Sequence, residues 1–291
     1  MHIPKVSICI PTYKQVEYLR KTLNSVLSQT FDDYEIVVAD DSPDDSVREL
    51  VDTFDFGGRL KYYKNSRQLG SPANWNEAVH KSSGEYIKIL HHDDWFTFSD
   101  SLEEYVCLLD ANKSATFAFS AAVGYNIRND YKWIHSATEK QLEELNADPR
   151  ILFFGNFIGP PSSTIYKRSN NISYDGKLKW VVDFDFYIRT LLENSNFAFS
   201  SRELITSVSG ANHNVTNECE NSKEVELFEF LYLYKRINKN ILHMDEEHLI
   251  FFKKLFKKYQ VSIKDLFRSN VNSLLPLQLY LLALKSQSND I

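Results

Sequence analysis

The sequence predicts an α/β fold with a Rossmann-like, mostly parallel central sheet, helices on both faces and a C-terminal helical extension. Three observations predict it. Short runs of β-forming residues alternate with segments of helical period as far as Tyr125. A polar loop follows each of the early strands. From Ser222 onward the period is helical and the composition shifts to Leu, Phe, Tyr and Lys. The expected division is therefore a main domain over residues 1–217 and a helical extension over 218–291.

Taken in order, residues 6–11 form the first strand, and Thr12 to Gln15 the loop at its carboxyl end. A helix follows, with Leu19, Leu23, Val26 and Leu27 at i, i+4, i+7 and i+8. Residues 34–39 are the second strand, ending in Asp40-Asp41-Ser42-Pro43-Asp44-Asp45. Ser42 suits a helix cap, Pro43 the first helical position, and Asp44 and Asp45 the positive end of a helix dipole. Asp40 and Asp41 precede that cap and need another explanation. Residues 60–64 are a third strand; the loop 65–72 carries Arg67 and Gly70, and a helix over 73–80 carries Asn74, Trp75 and Asn76. Residues 86–90, opened by Ser82-Ser83-Gly84, are a fourth strand that ends in His91-His92-Asp93-Asp94. An amphipathic helix over 101–109 and a strand over 115–121 come next.

Residues 126–146 read as loop plus a surface helix, and the turn around Gly159-Pro160-Pro161 as rigid, leading into a strand over 164–167. Asp183 falls at the start of a helix whose face continues through Phe184, Ile188 and Leu191. Residues 201–217 hold a strand and a loop with His213.

In a parallel sheet the carboxyl ends of the strands share one edge, where ligands of open α/β folds bind. Tyr13, Asp41, Arg67 and Asp93-Asp94 are thereby expected on a common rim. Paired aspartates in a turn are common as plain solvated loops. Placed on that rim, hard oxygen ligands suit Mg²⁺ or Mn²⁺ shared with a phosphate.

The net charge of -6 excludes a nucleic-acid binder by charge. No signal peptide and no apolar stretch near the ~20 residues of a membrane span is read, so a cytoplasmic protein is expected. The basic amphipathic run within residues 250–260 is best explained as a packed helix with solvated lysines. Its sharper reading is peripheral contact at the inner face of the membrane. Cys9, Cys107 and Cys219 read as buried thiols in a reducing cytosol rather than a disulfide framework or metal site.

Five segments, in order, resemble glycosyltransferase family 2: residues 6–13, Val38-Ala39-Asp40-Asp41-Ser42, the loop with Gly70, Asn74 and Asn76, Gly84-Glu85-Tyr86-Ile87, and His92-Asp93-Asp94. The resemblance covers roughly residues 5–215. It implies the GT-A fold and inverting, single-addition transfer of a sugar from a nucleotide-diphosphate donor, a UDP-sugar being expected, to a glycan or lipid-linked glycan in bacterial surface polysaccharide assembly.

Carried over by position, Pro11, Thr12 and Tyr13 would form the base pocket, with Tyr13 stacking on the base, and Asp41 would accept from a uracil-type ring nitrogen. Arg67, Gly70 and Asn74 would belong to the nucleotide site. Asp93 would lie near the ribose or sugar, Asp94 would bind Mn²⁺ or Mg²⁺, and His213 would be a late ligand. Asp183 would be the base, with Asp185 as the rival because Val182 stands where the family often has Glu. His91 stands where the family's metal motif has an acidic residue; one of His91 and His92 is expected inward and one solvated. A nucleotidyltransferase is a rival reading, which the glycine-free loop Thr12-Tyr13-Lys14-Gln15 speaks against, and a non-catalytic nucleotide-sugar-binding protein is another.

Overall fold

A computed structural model describes residues 2–169, 172–211, 219–238, 244–269, 271 and 275–286. The chain divides into two compact units, one of residues 1–177 and 182–214, the other of residues 178–181 and 215–291.

The first unit is built on one sheet in the order β3-β2-β1-β4-β8-β6-β9-β5, with β7 paired to β6. β1 (Val6–Thr12) pairs in parallel with β2 (Tyr34–Asp40) and β4 (Tyr86–Ile89), and β2 in parallel with β3 (Leu60–Lys64). Every residue of β1, β2 and β4 is buried. That is why these strands read as continuous apolar runs: helices cover both faces. The connecting helices are α1 (Val16–Leu27), α2 (Ser46–Val51) and α3 (Ala73–Lys81). Leu19, Leu23 and Val26 pack with Ile8, Ile10, Ile36 and Val38 in one core.

Beyond β4 the expectation of a mostly parallel sheet needs correcting. β8 (Thr164–Lys167) runs antiparallel to both β4 and β6 (Phe117–Asn126), and β5 (Trp95–Phe96) is antiparallel to β9 (Phe197–Ser209). Among the described residues only β6 and β9 pair in parallel there, across a register shift at Ser120 and Ala121. β7 (Tyr131–His135) is antiparallel to β6, and its first four residues are exposed. With no buried face it has no apolar alternation, so it reads as loop in the sequence. α4 (Ser101–Ala111) precedes β6 and leaves Cys107 exposed, where a buried thiol was expected, while Cys9 and Cys219 are buried. α5 (Glu139–Ala147) is held by a Thr138–Gln141 capping box, and α6 (Val182–Glu193) lies between β8 and β9.

The expected helix start at Ser42-Pro43 is displaced; α2 begins at Ser46. The Ser42 N–H donates to Asp40 Oδ1 at 2.8 Å, and its hydroxyl oxygen accepts from the Lys14 N–H at 2.7 Å. Ser42 is thus spent on the strand tips, and Asp44 instead accepts from the N–H and hydroxyl of Ser46.

Gly84 opens β4 because a side chain does not fit there. A Cβ would lie 2.7 Å from the Ser7 nitrogen and 2.9 Å from the Val6 carbonyl carbon. Gly84→Ala is expected to destabilise the chain by about 1–3 kcal/mol, read as a lowered midpoint in urea at unchanged slope.

The second unit contains α7 (Lys223–Ile237), α8 (Glu246–Tyr259), α9 (Ile263–Arg268) and α10 (Leu277–Ser286). Among the described residues no helix is long and apolar enough to cross a membrane.

Candidate active site

The parallel strands β1, β2 and β3 deliver their carboxyl ends to one edge, where a polar network ties them together. Thr12 is buried, its hydroxyl donating to the Ala39 carbonyl at 3.4 Å and to Asp40 Oδ1 at 3.3 Å. Asp40 Oδ2 accepts from the Tyr62 hydroxyl at 2.7 Å and Lys64 Nζ at 3.0 Å. Asp41 accepts from the Asn65 amide at 2.6 Å and from the N–H groups of Leu69 and Gly70, the latter at 2.7 Å. Asn74 donates to the carbonyls of Thr12 and Ala39 and accepts from Asn65. Asp41 and Asn74 therefore fold the loop 65–70 back onto the strand tips, and Gly70 supplies the left-handed turn at φ +74°. Tyr13, next to Thr12, and Arg67, between Asn65 and Leu69, are exposed. Lys14 and Gln15 both hold left-handed backbone, which turns the chain sharply between Tyr13 and α1.

At the end of β4, one ligand-capable atom from each of His91, Asp93 and Asp94 lies within 4.8 Å of the others. Thr22 of α1 pins this turn, donating to the carbonyls of His92 at 2.9 Å and Asp94 at 2.8 Å. The His92 ring sits 3.3 Å from the Pro11 carbonyl, and His91 and His92 are both half-buried, where one inward and one solvated ring was expected. Asp94 is buried and accepts from the Val208 N–H at 3.2 Å. Burial, then the neighbouring charge of Asp93, pushes its carboxyl up to about 7. Burial pushes the His91 imidazole down to about 4, so it is neutral at physiological pH and able to act as a ligand. His91 Nε2 is buried without a hydrogen-bond partner among the described residues. Two crowded carboxylates and an orphaned neutral imidazole fit a divalent cation. His91 thus joins Asp93 and Asp94 in the cluster, a role the sequence reading did not give it. His213 lies outside the described residues.

Behind the cluster stands a residue that sequence reasoning passed over. Lys88 of β4 is fully buried; its ammonium donates to the carbonyls of Ser162 and, at 3.1 Å, Thr164, and lies 4.1 Å from the centre of the Tyr105 ring. Burial holds it well below the ordinary lysine range. The Ser162 hydroxyl in turn accepts from the His91 N–H at 3.0 Å. A charged residue inside an apolar strand was the available signal.

Asp183 lies in the first turn of α6. Its Oδ2 accepts from the Asn156 amide at 2.8 Å and its Oδ1 from the Phe184 N–H at 3.0 Å. The same amide donates to the Gly159 carbonyl at 2.9 Å, while Asn156 Oδ1 accepts from the N–H groups of Ile158 and Gly159. Residues 156–163 are therefore a brace with Asp183 at one end and, through Ser162, His91 at the other. Trp75 adds a wall, its ring 4.6 Å from His91 and 5.1 Å from Tyr174, which stacks on Phe186 of α6 at 4.2 Å. The rival base Asp185 is fully buried and paired with Arg189 at 2.9 and 2.6 Å. That burial speaks against it as the base.

Comparison with known proteins bears on the family and the fold. The family model for glycosyl transferase family 2 matches residues 7–175. The abequosyltransferase RfbV of Salmonella typhimurium is 29% identical over 194 residues, 62% of this chain and 55% of that protein. The chain spans only about a fifth of the length of its relatives from Rickettsia bellii, Rickettsia felis and Rickettsia conorii. Among solved structures, Staphylococcus aureus TarS 1-349 in complex with UDP-GlcNAc superposes with a TM-score of 0.65 at 18% identity, covering 97% of this chain and 81% of that one. The mannosyltransferase PcManGT of Pyrobaculum calidifontis, in complex with GDP-Man and Mn²⁺, gives 0.61 at 14% identity over 100% and 88%. The sheet, with its rim of strand tips and the matched residues, places the chain in one family: it belongs to glycosyl transferase family 2.

Proposed function

We propose that the chain transfers a sugar from a nucleotide-diphosphate donor, a UDP-sugar in the first instance, to a hydroxyl of a glycan, free or lipid-linked, with inversion at the anomeric carbon. Assembly of a bacterial surface glycan is the corresponding role. The observation that carries the reading is the brace of residues 156–163, which couples a half-buried carboxylate, Asp183, to the His91–Asp93–Asp94 cluster.

In this reading Asp183 takes the proton of the acceptor hydroxyl as its oxygen attacks. Asp94, Asp93 and His91 would hold Mn²⁺ or Mg²⁺, which would supply positive charge for the leaving diphosphate. His213 remains a further candidate ligand. Tyr13 stacks on the base. Asp41 and Asn74, with Pro11, Thr12, Gly70 and Arg67, shape the loop that walls the nucleotide; both Asp41 oxygens already accept from residues 65–70, so a bond to a base nitrogen would use a remaining lone pair of one of them. His91 makes the ligand set softer than an all-carboxylate one, so Mn²⁺ is expected to outperform Mg²⁺.

The deciding experiment is a thermal-shift panel of nucleotide sugars with and without Mn²⁺, followed by hydrolysis of the stabilising donor. A Tm rise with one donor only when Mn²⁺ is present, together with slow hydrolysis, is the expected result. No stabilisation by any nucleotide sugar would overturn the reading, and stabilisation without turnover would leave a binding protein.

Asn156 yields a separate prediction. Asn156→Ala removes the donor that orients Asp183, so kcat is expected to fall roughly tenfold to a hundredfold with the donor KM nearly unchanged. A rise in donor KM at constant kcat would assign Asn156 to binding instead.

A further inference from the structure

The second unit carries an apolar patch that its own packing leaves uncovered. On α10, Leu277, Leu281 and Leu284 recur at i, i+4 and i+7 and are 69%, 49% and 56% exposed, while Leu279 and Ala283 on the opposite face are buried. On α9, Phe267 is 72% exposed, and its ring lies 6.1 Å from that of Tyr280 of α10, so the two helices present one continuous surface. Soluble proteins seldom leave four large apolar side chains together in water without a partner.

The surroundings of the patch identify the partner. Lys264 and Arg268 stand at i−3 and i+1 from Phe267, both exposed, and exposed Lys285 follows Leu284. Between His248 and Ser286 the chain carries seven basic side chains (Lys253, Lys254, Lys257, Lys258, Lys264, Arg268 and Lys285) against one acidic, Asp265, and of the seven Lys258 is paired with Glu226 at 2.9 Å. That aspartate is turned to Lys223 at 2.7 Å and to its own helix cap. The patch is therefore apolar at its centre and cationic at its rim, inside a chain whose net charge is -6.

A second copy of the chain is a poor occupant: a two-fold pairing sets the patch against itself, cation facing cation. An anionic bilayer answers both features, because acyl chains receive Phe267 and the leucines while lipid phosphates pair with the rim. We propose that α9 and α10 form a docking surface for anionic phospholipid membranes. This relocates the membrane contact from the run over residues 250–260, where Phe252, Leu255 and Phe256 are buried in the unit's own core. The proposal does not depend on the catalytic reading.

The test is co-sedimentation of the full chain with vesicles of phosphatidylcholine alone and of phosphatidylcholine mixed with phosphatidylglycerol. Pelleting is expected with the anionic vesicles and not with the neutral ones, and high salt should reverse it. Lys264→Ala with Arg268→Ala should lower the partition coefficient roughly 30-fold, at about one kcal/mol for each charge. Phe267→Ser with Leu281→Ser should lower it by about tenfold or more. These are surface positions, and an unchanged Tm in each variant confirms that folding is not what was lost. No pelleting with anionic vesicles, pelleting that both pairs of substitutions leave unchanged, or a dimer in light scattering that Phe267→Ser abolishes would each overturn the proposal.

Discussion

Asp183→Asn is expected to lower the rate of sugar transfer by roughly 10²- to 10⁴-fold, the range a positioned general base contributes, while donor affinity stays within about twofold. The substitution keeps the shape of the side chain. An asparagine carbonyl can still accept from the Phe184 N–H, which now bonds Oδ1. What it loses is an oxygen able to take a proton, and one of two oxygens able to accept from Asn156. The variant should therefore bind a nucleotide sugar with Mn²⁺ as the parent does and fail only when acceptor is added. Titration of the donor by calorimetry and single-turnover transfer separate the two steps. Transfer at the parent rate would remove the base from this position. Asp185 would not inherit the role without first becoming exposed.

How far the sequence carries can be judged from particular residues. The parallel strands were legible because complete burial leaves an apolar run that no solvated segment imitates. The convergence of Tyr13, Asp41 and the Asp93-Asp94 turn followed from topology alone, since parallel strands put their ends on one edge. β7 was illegible because an edge strand with exposed side chains has no pattern to detect. The antiparallel half of the sheet was illegible because strand direction leaves no trace in composition. Asn156, Thr22 and Lys88 were missed for a common reason: each acts by a single hydrogen bond, or a pair of them, across 27 or more residues of sequence. Ser42 misled because the residue types that cap helices also serve to pin loops.

The second large effect concerns Asp94. Asp94→Asn is expected to abolish the Mn²⁺-dependent part of donor binding, a loss of about 100-fold or more, yet to leave the cation-free protein as stable as the parent or more so at pH 8. The reason is electrostatic. The carboxyl is raised to about 7 in the folded chain from the ordinary 3.8, by burial and by Asp93, so the folded state holds its proton more tightly than the unfolded one. Between those two values, rising pH costs stability as that proton is lost. His91 works in the opposite sense over about 4 to 6.5, because its folded value is the lower one. The effect of Asp94 is thus isolated in the difference between variant and parent, both free of cation. The Tm of Asp94→Asn minus that of the parent should grow from pH 5 to pH 8 and level off above it. A bound cation reverses the burden by keeping the carboxylate ionised, and must displace the proton to do so. In the parent, the Tm rise produced by Mn²⁺ should accordingly be small at pH 5.5 and largest near pH 8; in Asp94→Asn it should be slight throughout. A rise of equal size at both pH values would mean that the cation is held by other residues, and that Asp94 is a buried acid with a purely structural task.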